Sequence, residues 1–208
     1  MKIGMARIAQ RCAVSPEFKS LLQRQAAWGY KRLAGEAQFN VTFQAILPSV
    51  RAMFDPRRTG PNLGLEYELT RLRNSRYRKA GVLRDGALDY FTLESQDVYF
   101  GNRNFGAYLV LVPALTTEMR RIEFVPVRNP LRYARHPHHR SNVRGSSPVG
   151  GDVNTCWGSF AGPVAHFLYT CQMVDLFLVL YRFLEMYNPG DTLVNLERVW
   201  RESNENPV

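Results

Sequence analysis

The chain has 208 residues, 45% of them hydrophobic and 22% charged, proportions that exclude wholesale disorder and a fibrous architecture and fit one core with extensions. Its net charge of +9 would draw nucleic acid or an acidic protein partner. Almost all of the basic charge is arginine, since Lys2, Lys19, Lys31 and Lys79 are the only lysines, a preference that coding bias can equally produce.

In chain order, the opening MKIGMARIAQRCAV is too short and too interrupted by arginine to form the apolar core of a secretory signal. Ser15 as a cap, Pro16 at the first helical position and Glu17 at the positive end of the dipole predict a helix start. Phe18, Leu21, Leu22, Ala26 and Leu33 supply a partial apolar stripe that runs until Gly35. A second apolar segment, VTFQAILPSVRAMF, is interrupted by Pro48. The turn-rich DPRRTGPNLG after it marks a junction between a helical N-terminal extension, residues 1–62, and a main domain, residues 63–208. From Leu65 to Arg78 the pattern reads as a basic helix.

The runs DYFTLESQDVYF, FGAYLVLVP and RIEFVPVRNP are short, rich in β-branched and aromatic residues, and separated by turn residues, which predicts a small antiparallel meander. Pro126 makes the last strand an edge or places a bulge in it. A long loop follows, RHPHHRSNVRGSSPVGGDVNTCWG. Then Val164, Phe167, Leu168, Cys171, Val174, Leu178, Tyr181 and Leu184 recur at spacings of three and four, a helical stripe stopped by Asn188, Pro189 and Gly190. The stretch from Val164 to Tyr187 is long enough to span a bilayer, but His166, Asp175, Arg182 and Glu185 within it indicate a core helix and no membrane partner. TLVNLERVWRE predicts a last short helix, and no internal repeat is present. The fold class is α+β: N-terminal helices, a small antiparallel meander, a long loop bearing a cysteine, and C-terminal helices.

Cys12, Cys156 and Cys171 form no even set and no paired spacing, so a disulfide framework is not expected and a reducing, cytoplasmic compartment is. Cys156 stands just before a helix, where backbone N–H groups and the dipole favour thiolate. Trp157 offers it an apolar wall or a partner contact, and Gly158 permits close approach of backbone to the sulfur. Cys171 lies on the apolar stripe and reads as a small buried hydrophobe, while Cys12 lies in a loose N-terminus.

His136, His138 and His139 leave two plain readings open. They could be solvated members of a basic loop, or, with Cys156, they have the ligand types of tetrahedral zinc. Against zinc, neighbouring histidines rarely all turn toward one ion and no CxxC arm is near. His166 reads as a core or surface histidine. No metal or other cofactor is expected.

The succession of a meander, His136-Pro137-His138, a glycine-bearing loop, Cys156-Trp157-Gly158 and a helix ending at YNPGD, Tyr187 to Asp191, resembles the ubiquitin-conjugating enzyme fold. It looks particularly like the bacterial and phage relatives, and the resemblance covers about Tyr90 to Trp200. It implies that Cys156 accepts a ubiquitin-like protein as a thioester from an activating enzyme and passes it to an acceptor nucleophile. It further implies that His136 fixes the loop backbone through a hydrogen bond and that Pro137 holds a tight turn. His138 stands where eukaryotic members carry an asparagine, and its imidazole could support the oxyanion or accept a proton from the attacking group. Two departures accompany the resemblance: the gap from His136 to Cys156 is lengthened around SNVRGSSPVGG, and no acidic residue directly follows the cysteine, a place Asp152 could fill.

The competing readings are a non-catalytic scaffold of the same fold and a nucleic-acid-binding domain. In the latter, RLRNSRYRK, Arg71 to Lys79, would hold phosphates while tyrosines and phenylalanines stack on bases.

Overall fold

A computed structural model describes residues 11–36, 63–128, 136, 138–141 and 153–187, with single positions 45 and 48. Strand β1 (Ala13–Val14) leads into helix α1 (Pro16–Glu36). The start follows from the residues named above: the Phe18 amide donates to Ser15 Oγ at 3.1 Å, which satisfies one of the donors a helix start leaves orphaned. Phe18, Leu21, Leu22, Ala26 and Leu33 are all buried.

Helix α2 (Leu63–Arg73) is shorter than the basic helix expected through Arg78. Asn74, Ser75 and Arg76 form a turn, and the chain continues as strand β2 (Tyr77–Asp85). Asn and Ser compete with helical backbone through their own side chains, and here Ser75 Oγ accepts the Tyr77 amide at 3.3 Å. The stretch RLRNSRYRK therefore spans a helix end, a turn and a strand. A bulge between Tyr77 and Lys79 hides the period-two pattern that would otherwise have announced β2.

The remaining strands are β3 (Leu88–Ser95), β4 (Val98–Phe100), β5 (Arg103–Pro113) and β6 (Glu123–Arg128). β3, β5 and β6 pair antiparallel, as the meander predicts, with β4 beside β3 along β5, and β2 adds antiparallel to β3 as a strand the sequence did not announce. The short β1 joins β2 in parallel, so the sheet is mixed. Pro126 sits opposite Tyr108 where the register shifts, on a strand whose described pairing is with β5 alone. That is where a residue without an N–H is tolerated.

Two short strands follow, β7 (His139–Ser141) and β8 (Val153–Thr155), and then a 3-10 turn, Gly158–Phe160. The single long C-terminal helix expected from the apolar stripe is two helices, α3 (Ala161–Tyr169) and α4 (Met173–Glu185). The break falls at Cys171, whose φ of 58° is left-handed and cannot continue a right-handed helix. Val164, Leu168, Cys171, Val174, Tyr181 and Leu184 of the expected stripe are buried on both sides of the break. Phe177, Leu180 and Phe183 are fully buried, whereas Phe167 and Leu178, members of the continuous stripe, are only half-buried. Among the described residues no helix is long and apolar enough to cross a membrane.

One hydrophobic cluster joins α1, α2, α4 and the inward faces of the strands, with Phe18, Phe91 and Phe177 stacking at centroid separations of 5.2 to 5.7 Å. Residues 11–36 thus share the core of 63–187, and the segment around the expected boundary at residue 62 lies outside the described residues. The Cys12 amide donates to the Arg73 carbonyl at 2.9 Å and its side chain is buried, so this cysteine is anchored rather than loose. The apolar segment with Pro48 and the expected last helix, TLVNLERVWRE, fall almost entirely outside the described residues.

On β6, Glu123 is half-buried and registers with Leu111. Burial pushes its carboxyl up to about 7. A raised carboxyl means that the folded chain binds this proton more tightly than the unfolded chain, so the contribution of this group to stability is greatest at acidic pH and is lost as pH climbs toward 7. Glu123→Gln is expected to flatten that fall and to raise stability at pH 8 by about 1 kcal/mol, the shift being discounted because the group is partly solvated. Urea unfolding at a series of pH values measures it, and an unchanged slope between pH 5 and 7 contradicts it.

Candidate active site

The histidine loop and the cysteine meet through β7 and β8. Their antiparallel ladder pairs Ser141 with Val153, Arg140 with Asn154 and His139 with Thr155. One step further out, the Cys156 amide donates to the His138 carbonyl at 2.8 Å. The added length around SNVRGSSPVGG therefore lies between two paired ends and does not separate His138 from Cys156. Longer loops cost little extra closure entropy, so the ladder can hold the two ends together despite the insertion. Pro137 and Asp152, both named from the sequence, lie outside the described residues.

His136 is fully buried and uses both ring nitrogens. Its Nδ1 accepts the His138 amide at 3.3 Å, and its Nε2 lies 2.9 Å from the Leu184 carbonyl. An amide donor on one side and a carbonyl acceptor on the other fix the neutral tautomer, with the proton on Nε2. Leu184 belongs to the last turn of α4, whose carbonyls lack helical donors, so His136 ties the loop to a helix end. The rings of Phe100, Tyr108, Phe124 and Phe183 surround it at centroid distances of 5.3 to 6.0 Å.

His138 is also fully buried, with its ring 6.0 Å from Phe183 and 6.4 Å from Tyr187. The sequence reading has this ring supporting an oxyanion or accepting a proton from an attacking group. The link the geometry displays runs through its main chain, N–H to His136 and carbonyl to Cys156.

Cys156 is partly exposed, and it leads into the 3-10 turn and α3, neither of which has a side-chain cap. Uncapped N–H groups at a helix start stabilise negative charge. Trp157 is buried against Phe183 and Phe124, at 4.9 and 5.9 Å, and forms an apolar wall. Gly158 has φ of 51°, a conformation that costs other L-residues about 1–2 kcal/mol. The turn Met119–Arg121 packs beside β8 and α3.

No family model, curated protein or solved structure matches this chain. The chemistry of the site rests on its own geometry.

The three thiols are all free, but they differ. Burial raises the Cys12 thiol to about 11 and raises that of Cys171 as well, which keeps both protonated at neutral pH. Cys171 occupies the turn between α3 and α4, where Gln25 donates to its sulfur at 3.6 Å. Cys156 is the thiol that solvent reaches.

Among the described residues, no three His, Cys, Asp or Glu side chains are grouped so that they could hold a metal ion. Both nitrogens of His136 are engaged, so it is not free to act as a ligand. His166 is exposed in the last turn of α3. The sequence reading missed Phe183, whose ring touches both site histidines, and the Leu184 carbonyl. Phe183 lies beside the expected stripe, on a buried face of α4 that is wider than the spacing of three and four marks.

Proposed function

We propose that the chain is a cysteine-based acyl carrier that takes a ubiquitin-like protein as a thioester and hands it to an acceptor nucleophile. The observation that carries this reading is the bond from the Cys156 amide to the His138 carbonyl, which ties the main chain of a partly exposed cysteine to a buried histidine brace just before the 3-10 turn. The order of a meander, a histidine brace, a cysteine, a glycine with positive φ and C-terminal helices supports the fold the resemblance implies.

In the proposed step, the Cys156 thiolate attacks the thioester carbonyl presented by an activating enzyme. A new S–C bond forms, the old one breaks, and the departing thiolate stays on the activating enzyme. N–H groups at the helix start meet the developing oxyanion. His136 and His138 act as positioning residues by fixing the main chain on one side of the sulfur. The acceptor nucleophile then displaces Cys156 as thiolate.

The nucleic-acid alternative draws on Arg71 to Lys79. Arg71 pairs with Asp175 and Glu68, Arg73 with Glu66, Arg76 with Glu185 and Arg78 with Asp97. Arginines already neutralised by carboxylates release few counterions on binding phosphate, which favours the carrier reading.

The test is an intact-mass spectrum under non-reducing conditions of the protein co-expressed with a ubiquitin-like protein and an activating enzyme. The expected result is an adduct of the partner's mass that thiol reductant removes and Cys156→Ala abolishes, with the thermal midpoint of the variant unchanged. An active partner pair that yields no such adduct, or an adduct that survives Cys156→Ala, overturns the proposal.

A further inference from the structure

Away from Cys156, a groove of about 370 Å3 opens between the turn at Ser75 and Arg76 and the outer sides of α3 and α4. Its size is that of a small-molecule site. Phe167, Leu178 and Val179 form an apolar wall, each of them half-buried.

Tyr181 also lines the groove. It is only 4% exposed, and its hydroxyl is a buried polar atom with no hydrogen-bond partner among the described residues. The contrast with Tyr77, packed against it at 5.1 Å, is informative: the Tyr77 hydroxyl donates to the Phe177 carbonyl at 2.8 Å. Buried hydroxyls are nearly always paired, and an exception in a native fold calls for a missing partner. Burial also pushes the Tyr181 phenol up to about 12, so it is a donor at neutral pH.

The charges at this end of the groove are unequal. The Glu185 carboxylate serves both Arg76 and Arg182, two guanidiniums on one carboxylate, and Arg76 lies 5.3 Å over the Tyr181 ring. Asp175, at the other end, is held by Arg71. Near Tyr181, among the described residues, Arg76, Arg78 and Arg182 stand against Glu185 and Asp97, and the hydroxyl has no acceptor, beside an apolar wall.

We propose that this groove binds an amphipathic carboxylate, its chain along Phe167, Leu178 and Val179 and its head group on Arg182 and the Tyr181 hydroxyl. Arg76, 56% exposed along its side chain, swings off the Tyr181 ring to admit the head group. A water molecule could pair the phenol, but it would leave the apolar wall and the excess positive charge unused. The proposal is independent of the carrier chemistry at Cys156.

Titration calorimetry of the full chain with decanoate tests it, with decylammonium as the control of opposite charge. The expected result is saturable binding of one decanoate and much weaker binding of decylammonium. Tyr181→Phe should weaken decanoate about tenfold, the loss of one hydrogen bond to a charged group, without lowering the thermal midpoint of the free protein, because the hydroxyl it removes has no partner to lose. Arg182→Glu, at a position 76% exposed along its side chain, should weaken it by at least as much. Absence of saturable decanoate binding, equal binding of decylammonium, or a Tyr181→Phe variant with wild-type affinity overturns the assignment.

Discussion

Phe183→Ala is expected to lower stability by about 3–5 kcal/mol, the range for truncating a buried phenylalanine, and to destroy the candidate site even where the chain stays folded. Phe183 is fully buried on α4, with ring centroids 4.9 Å from Trp157, 5.2 Å from Phe124, 5.3 Å from His136, 5.7 Å from Phe160 and 6.0 Å from His138. It is the shared wall of the histidine brace and of the turn that follows Cys156. Removing it opens a cavity that both halves of the site border, and packed interiors relax only partly into such a space. Phe177→Ala is the matching control. Phe177 is equally buried on the same helix but packs on Phe18 and Phe91, away from the brace. Urea midpoints should fall by similar amounts in the two variants, while the thiol-labile adduct, measured at low temperature where both are folded, should be lost only with Phe183→Ala. Equal adduct yields in the two would show that the ring does not organise the site.

His136→Phe is expected to cost about 3 kcal/mol. The substitution retains an aromatic ring of similar size among Phe100, Tyr108, Phe124 and Phe183, so little of the loss comes from packing. It removes an acceptor from the His138 amide and a donor from the Leu184 carbonyl. Each group left buried and unpaired costs about 1–3 kcal/mol. Urea unfolding should show a lower midpoint with an unchanged slope, and amide exchange should show lost protection at His138 and Cys156, because the carbonyl that accepts the Cys156 amide belongs to the loop His136 fixes. Protection retained at Cys156 would mean that the β7 and β8 ladder holds the cysteine without the histidine. Since Cys156→Ala leaves the brace intact, the two variants separate loss of the nucleophile from loss of its support.

Local chemistry was legible in the chain. Ser15, Pro16 and Glu17 mark the start of α1 because capping is a matter of neighbouring residues, and the meander follows from β-branched runs between turns. Pro126 announces an edge or a bulge because a missing N–H constrains its own strand. The pattern His136-Pro137-His138 and Cys156-Trp157-Gly158 pointed to the region where the site lies. Features that depend on contacts distant in sequence were not legible. The partner of His136 is a main-chain carbonyl on Leu184, and a carbonyl carries no residue signature. The bulge after Tyr77 erased the alternation of β2, and the left-handed Cys171 divided one expected helix into α3 and α4. By itself the sequence determined the start of α1, the strand runs of the meander and which residue types gather near the cysteine. Only the tertiary structure decided that His136 is locked in one tautomer and that Cys156 is tied to His138 across a lengthened loop. Hydrogen bonds to backbone and the point at which a helix breaks are set by packing, which no window of neighbouring residues contains.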